Sequence, residues 1–257
     1  FVLFPAVLMA QTTWLNVDAG TEYSVALRSD HTLWSWGYNG NGQLGIGNMT
    51  QQLSPVQVGN AADWKEMAAG DFHVLAVKTD GTLWAWGLNG SGQLGDGTTT
   101  TSLVPIQIGS ENNWKSVSAG VTHSFAIKTD GTLWSWGFNG NGELGNGNQN
   151  DVHEPAQLGT DTDWLMISCG GIHNVALKTD STLWAWGYNG NGAFGNGTDV
   201  SSDVPLLIDS ITHWKTVSAG YSFSLAIKDD NTLWAWGFNG NGQLGIGNNT
   251  SVQVPVQ

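Results

Sequence analysis

Short apolar runs alternate with polar turns along the whole chain, and no window of about 11 residues sustains a helical period. Residues 62–109 can be read strand by strand. Trp64–Ala69 (WKEMAA) is a short apolar run that stops at Gly70. His73–Lys78 (HVLAVK) alternates and carries β-branched residues, which predicts a second strand. Thr79-Asp80-Gly81 is a hairpin turn, with Asp-Gly as its strongest signal. Thr82–Gly87 (TLWAWG) is a third strand, placing Thr82, Trp84 and Trp86 on one face and Leu83 and Ala85 on the other. A Gly/Asn-rich loop runs on from Asn89. Pro105–Ile108 (PIQI) is a fourth strand, and its proline suits a sheet edge. Both faces of these strands carry apolar residues, as expected of a sheet packed between two others.

This unit recurs every 50 residues. Trp14, Trp64, Trp114, Trp164 and Trp214 fall in register, as do Pro55, Pro105, Pro155, Pro205 and Pro255. The repeats lie near 14–59, 64–109, 114–159, 164–209 and 214–257, within one repeat domain spanning 1–257. Such units bury their apolar faces against their neighbours. Four short antiparallel strands per unit predict an all-β fold, a β-propeller of five four-stranded blades. The blades form a closed ring or part of a larger propeller. A β-helix is the runner-up, but its rungs have shorter periods and no Asp-Gly hairpin. Strand-four sequence at both Pro5–Leu8 and Pro255–Gln257 favours a closed ring for the isolated chain. Phe1–Ala10 (FVLFPAVLMA) has two readings: the tail of a signal peptide cleaved after Ala10, or a strand of a preceding repeat at Leu3–Leu8.

Composition sharpens this picture. Apolar residues make up 40% of the chain and charged residues only 11%. The 15 Trp fall three to a repeat, and each buried one removes roughly 150–250 Å² from water, so they dominate the core. The net charge is −13. The basic residues occupy two repeat positions, Arg28, Lys78, Lys128, Lys178 and Lys228 at one and Lys65, Lys115 and Lys215 at the other. They look architectural and form no run, which argues against nucleic-acid binding. The acidic balance fits a solvated surface or a basic partner. No apolar stretch is long enough to cross a membrane as a helix, so no membrane insertion is expected. Cys169 stands where other repeats have Ala and reads as a small buried side chain.

Apparent chemistry dissolves on inspection. Gly40, Gly42 and Gly45 spell G-x-G-x-x-G, but the motif recurs in every repeat and is followed by polar residues and proline. A dinucleotide site needs a helix there, so these are turn glycines. His73, His123 and His173 share a position with Tyr23 and Phe223, which predicts packing plus one hydrogen bond. No residue set reads as catalytic, cofactor-binding or metal-binding, and a non-enzymatic protein is expected.

The unit W-K-x-V-x-A-G-x-x-H-x-x-A-I-K-T-D-G-T-L-W-x-W-G-x-N-G-x-G-Q-L-G resembles the regulator of chromosome condensation repeat over nearly the whole chain. That resemblance implies a β-propeller, most often of seven blades. Members of that family include a guanine nucleotide exchange factor, a plant ultraviolet-B photoreceptor, modules of ubiquitin ligases and a bacterial β-lactamase inhibitor. The photoreceptor's sensing Trp sit in Gly-Trp-Arg-His-Thr segments. The corresponding segments here read Gly70-Asp71-Phe72-His73, Gly120-Val121-Thr122-His123 and Gly170-Gly171-Ile172-His173, which excludes that mode of light sensing. The exchange factor works through an insertion and basic surfaces that this chain lacks.

The expected function is therefore a binding or scaffold propeller that recognises a protein or glycan through loops on one face. The alternatives are a guanine nucleotide exchange factor for a small GTPase and a structural segment of a larger secreted or surface protein. A secreted or cell-surface location is expected, with a cytoplasmic one as the alternative. The binding face is expected where the loops after the first and third strands emerge. Its candidate residues are Glu22, Phe72, Thr122, Ile172 and Tyr221, with Phe72, Ile172 and Tyr221 as an apolar centre.

Overall fold

In a computed structural model, which describes residues 12–209 and 213–257, each repeat folds into one four-stranded antiparallel sheet. The expectations for residues 1–10 lie outside the described residues. In the second blade the inner strand is Trp64–Ala69, the second His73–Lys78, the third Leu83–Gly87 and the outer Ser102–Gln107. The four pair in chain order, as in every blade. The Asp-Gly hairpin fixes the register of the second and third strands, with Val77 opposite Leu83 and His73 opposite Gly87. The outer strand starts at Ser102, ahead of the expected PIQI segment. Pairing skips from Ile106 opposite Ala85 to Ser102 opposite Gly87, and Pro105 sits in that irregularity. A proline has no N–H for the ladder, so an edge bulge accommodates it.

The alternation in TLWAWG decides how the blades stack. Trp64, Met67, Ala69 and Trp86 pack on Val25, Leu27, Leu33 and Leu44 of the first blade. The other side of the same sheet, with Leu75, Val77, Leu83 and Ala85, receives Trp114, Val117 and Trp136 of the third. The pattern continues through the later blades. Each interface is pinned by one indole N–H. Trp86 Nε1 donates to the Gln43 carbonyl at 3.0 Å, Trp136 to Gln93 at 2.9 Å, Trp186 to Glu143 at 2.9 Å and Trp236 to Ala193 at 2.8 Å.

The basic residues of one repeat position are architectural, as expected. Trp64 meets Trp84 edge-on at 5.9 Å, and the Lys78 ammonium lies 5.0 Å and 4.3 Å from their ring centres. Asp63 completes this cage at 3.2 Å. Such cation–π contacts strengthen as water is excluded. Lys65, Lys115 and Lys215 differ: their side chains are exposed, at the end of the molecule where the inner strands begin.

The expectation of a closed ring for the isolated chain gives way to an open arc, because no described residue covers the two end faces. Trp14 is 52% exposed, whereas Trp64, Trp114, Trp164 and Trp214 are at most 3% exposed. Leu233 is 57% exposed, whereas Leu33, Leu83, Leu133 and Leu183 are wholly buried. Gly45, Gly95, Gly145 and Gly195 each lie against a Trp ring of the next blade, so closely that a Cβ would come within 2.9 Å of it. A Cβ on Gly245 would meet nothing within 4 Å.

Candidate functional face

Each blade presents two loops at the same end of the arc, because its strands run alternately up and down. Residues 20–22 and their equivalents link the first and second strands, and residues 38–51 link the third and outer strands. The backbone ties the two loops together. The carbonyl of Glu22 accepts from the N–H of Tyr38 at 2.8 Å, that of Phe72 from Leu88 at 2.8 Å and that of Thr122 from Phe138 at 2.8 Å. The same bond joins Ile172 to Tyr188 at 2.9 Å and Ser222 to Phe238 at 2.9 Å.

Four of the five candidate residues thus occupy one repeat position, each beside a large apolar side chain. Tyr38, Leu88, Phe138, Tyr188 and Phe238 line this end of the arc, one per blade, half-buried or exposed. The rings of Tyr38, Phe138, Tyr188 and Phe238 fold down onto Gly40, Gly140, Gly190 and Gly240, where a Cβ would come within 2.5 Å of a ring atom. Leu88 is shorter, and Gly90 beneath it is open. Sequence reading missed this position because it lies past the strand, inside a Gly/Asn-rich loop. The signal was present: an aromatic or Leu follows the Trp-Gly pair in every repeat.

The expected apolar centre divides in two. Phe72 is half-buried and its ring packs edge-on against Tyr38 of the preceding blade, 6.3 Å between centroids. Tyr221 is 62% exposed and rests over Gly171 at the inner rim. Ile172 and Thr122 are half-buried in their own loops, and Glu22 is exposed. Inside this rim the ends of the inner strands line an open axial cavity of about 460 Å³, with small residues such as Gly70, Ala119, Ser168 and Gly220. Asp18 and Asp71 are the carboxylates of its wall. Burial raises the pKa of Asp18, opposed by hydrogen bonds from the N–H groups of Ala69, at 2.8 Å, and Ala19.

The groups that resembled chemistry are structural. His73 and His173 are fully buried; burial and then the neighbouring His123 hold each pKa down to about 3. Each bridges to the next blade, His73 Nε2 to Ser124 Oγ at 3.0 Å and His173 Nε2 to Ser224 Oγ at 2.9 Å. His123 Nε2 reaches Asn174 Oδ1 at 2.9 Å. Burial pushes the Cys169 thiol up to about 12, so it is not a nucleophile at neutral pH. Gly42 and Gly45 form consecutive turns, not a phosphate cradle: Gly42 N–H bonds Asn39 O and Gly45 N–H bonds Gly42 O. Among the described residues, no group of three or more His, Cys, Asp or Glu could hold a metal. No helix among them is long and apolar enough to cross a membrane.

The family model for the RCC1-like domain matches residues 3–257. The ultraviolet-B receptor UVR8 of Arabidopsis thaliana is 46% identical over 43 residues, a segment that is 17% of this chain and 10% of the receptor. The crystal structure of human WBSCR16 superposes with a TM-score of 0.85 at 23% identity, covering 96% of this chain and 67% of that one. Yeast RCC1 superposes with a TM-score of 0.85 at 23% identity, covering 95% of this chain and 61% of that one. The two structural likenesses carry the fold.

Proposed function

The chain belongs to the RCC1-like domain family, and we propose that it is a non-catalytic binding propeller whose aromatic-lined loop face holds a protein partner. The observation that carries this reading is the ring of Tyr38, Leu88, Phe138, Tyr188 and Phe238, apolar side chains left partly in water around one end of the arc. Aromatic side chains of this kind, rigid and amphipathic, are the usual anchors of protein interfaces. The hairpins at the other end repeat an Asp turn, Asp30, Asp80, Asp130, Asp180 and Asp230, and offer little to tell one partner from another. Yeast RCC1, described with its binding to Gsp1p and histones, supports a protein over a glycan as the partner.

The test is capture with the full chain as bait, compared with the Tyr38→Ala/Tyr188→Ala variant. A partner retained by the first and lost from the second, with circular dichroism unchanged, upholds the reading. Equal retention by both overturns it.

Guanine nucleotide exchange is the second reading, through the likeness to yeast RCC1. Addition of the chain to a small GTPase loaded with fluorescent GDP decides it. We expect no acceleration of release, because the five repeats are of equal length and carry no projecting insertion. Light sensing has less support: the segments Gly70–His73, Gly120–His123 and Gly170–His173 carry neither Trp nor Arg.

A further inference from the structure

We infer that the partner of the aromatic face is a basic protein segment, rich in Arg or Lys, an inference that rests on the reading of that face as the binding site. Charge is segregated along the axis of the arc. The eight Lys and Arg all lie at the opposite end, five at the foot of the second strands and three at the start of the inner strands. The ion pairs lie there too: Lys78 with Asp63, Lys128 with Glu111 and Lys178 with Asp161 and Asp163. The aromatic end holds carboxylates with no Lys or Arg to neutralise them. Glu22, Asp151 and Asp199 are exposed, and Asp71 and Asp96 are half-buried. Asp151 and Asp96 accept hydrogen bonds within their loops, from Asn139 N–H at 2.9 Å and from Asn89 Nδ2 at 3.0 Å, and these leave their charge uncancelled.

Two properties of one surface thus select the same ligand chemistry. Partly exposed Tyr and Phe rings attract guanidinium and ammonium groups through their faces. Unpaired carboxylates around them attract the same groups and repel acidic ones, which sets the orientation of encounter. A neutral glycan would use the rings and leave the carboxylates without partners. An acidic segment would be repelled by them.

The experiment is fluorescence anisotropy of labelled nona-arginine with the full chain, and, in separate titrations, of labelled nona-glutamate and labelled cellohexaose. Two variants remove equal charge by isosteric change. Glu22→Gln/Asp71→Asn/Asp199→Asn alters the aromatic end, and Glu111→Gln/Asp161→Asn/Asp229→Asn alters the opposite one. The first should weaken nona-arginine at least tenfold and the second less than about twofold, at an ionic strength near 0.1 M where distant charges are screened. Tyr38→Ala/Tyr188→Ala should weaken it further when salt is raised. The single changes Glu22→Gln and Asp199→Asn, at exposed positions, repeat the test without risk to folding. Equal loss from the two triple variants would reduce the effect to net charge and overturn the inference. Binding of cellohexaose or nona-glutamate, lost in the tyrosine variant, would keep the face and overturn its basic partner. Nona-arginine binding that ignores every change at the aromatic end would overturn the face itself.

Discussion

At the scale of single residues, His73 and His173 contribute to the response to acid. Their folded pKa of about 3 lies below the ordinary value of 6.5, so below pH 6.5 the unfolded chain binds more protons than the folded one. Their stabilisation is therefore complete above pH 6.5 and is lost as pH falls towards 3, at up to about 1.4 kcal/mol per pH unit for each. Urea midpoints measured from pH 7 to pH 4 should fall steeply. In His73→Phe/His173→Phe, which copies the residue at Phe223, the slope should flatten; an unchanged slope would assign it to other groups, the buried His123 and the carboxylates. Cys169 gives a second check at this scale. With its thiol pushed up to about 12, it should resist alkylation in the native state at pH 8 and react on unfolding. The packing role of these histidines was legible from the Tyr and Phe that replace them. Their hydrogen-bond partners were not, because Ser124 and Ser224 lie one blade further on, across an interface that no local pattern reports.

At the scale of elements, the third strand was the most legible, since alternation in TLWAWG sorts its side chains between two neighbouring blades. Trp136 is fully buried, with its N–H bonded to the Gln93 carbonyl. Trp136→Ala should cost about 3–5 kcal/mol in a denaturant titration. Trp36 occupies the same place in the first blade but is only half-buried, so Trp36→Ala should cost clearly less. Equal costs would mean that the first blade is covered in solution. The outer strand was misjudged at its start, because a proline mid-strand reads as a boundary until the bulge around it is seen. The aromatic face was only half legible. Variation between repeats pointed to the position of Glu22, Phe72, Thr122 and Ile172, but the position of Tyr38 recurs too regularly to stand out as a site. It becomes one only when the blades set its five copies around one end.

At the scale of the whole molecule, the period fixes the blades and the burial of their faces fixes the arc. Gly195 and Gly245 test the arc as a matched pair. Both have positive φ, +81° and +69°, which an alanine tolerates at a cost of about 1–2 kcal/mol. Only Gly195 also faces a ring, Trp236, which a Cβ would approach to 2.8 Å. Gly195→Ala should therefore lower stability by about 1–3 kcal/mol more than Gly245→Ala. Equal effects would imply a further blade seated on the fifth. Sequence could not decide between ring and arc, because closure depends on the angle between blades and not on the content of any one.

The proposed partner sits on the aromatic end of the arc. Amide hydrogen exchange of the full chain, free and with its bound partner protein, tests this placement most directly. Exchange should slow in residues 20–22 and 38–51 and their equivalents, with the hairpins at 29–31 and the loops at 58–63 unchanged. Protection confined to those hairpins and loops, or to the outer strands, would contradict it.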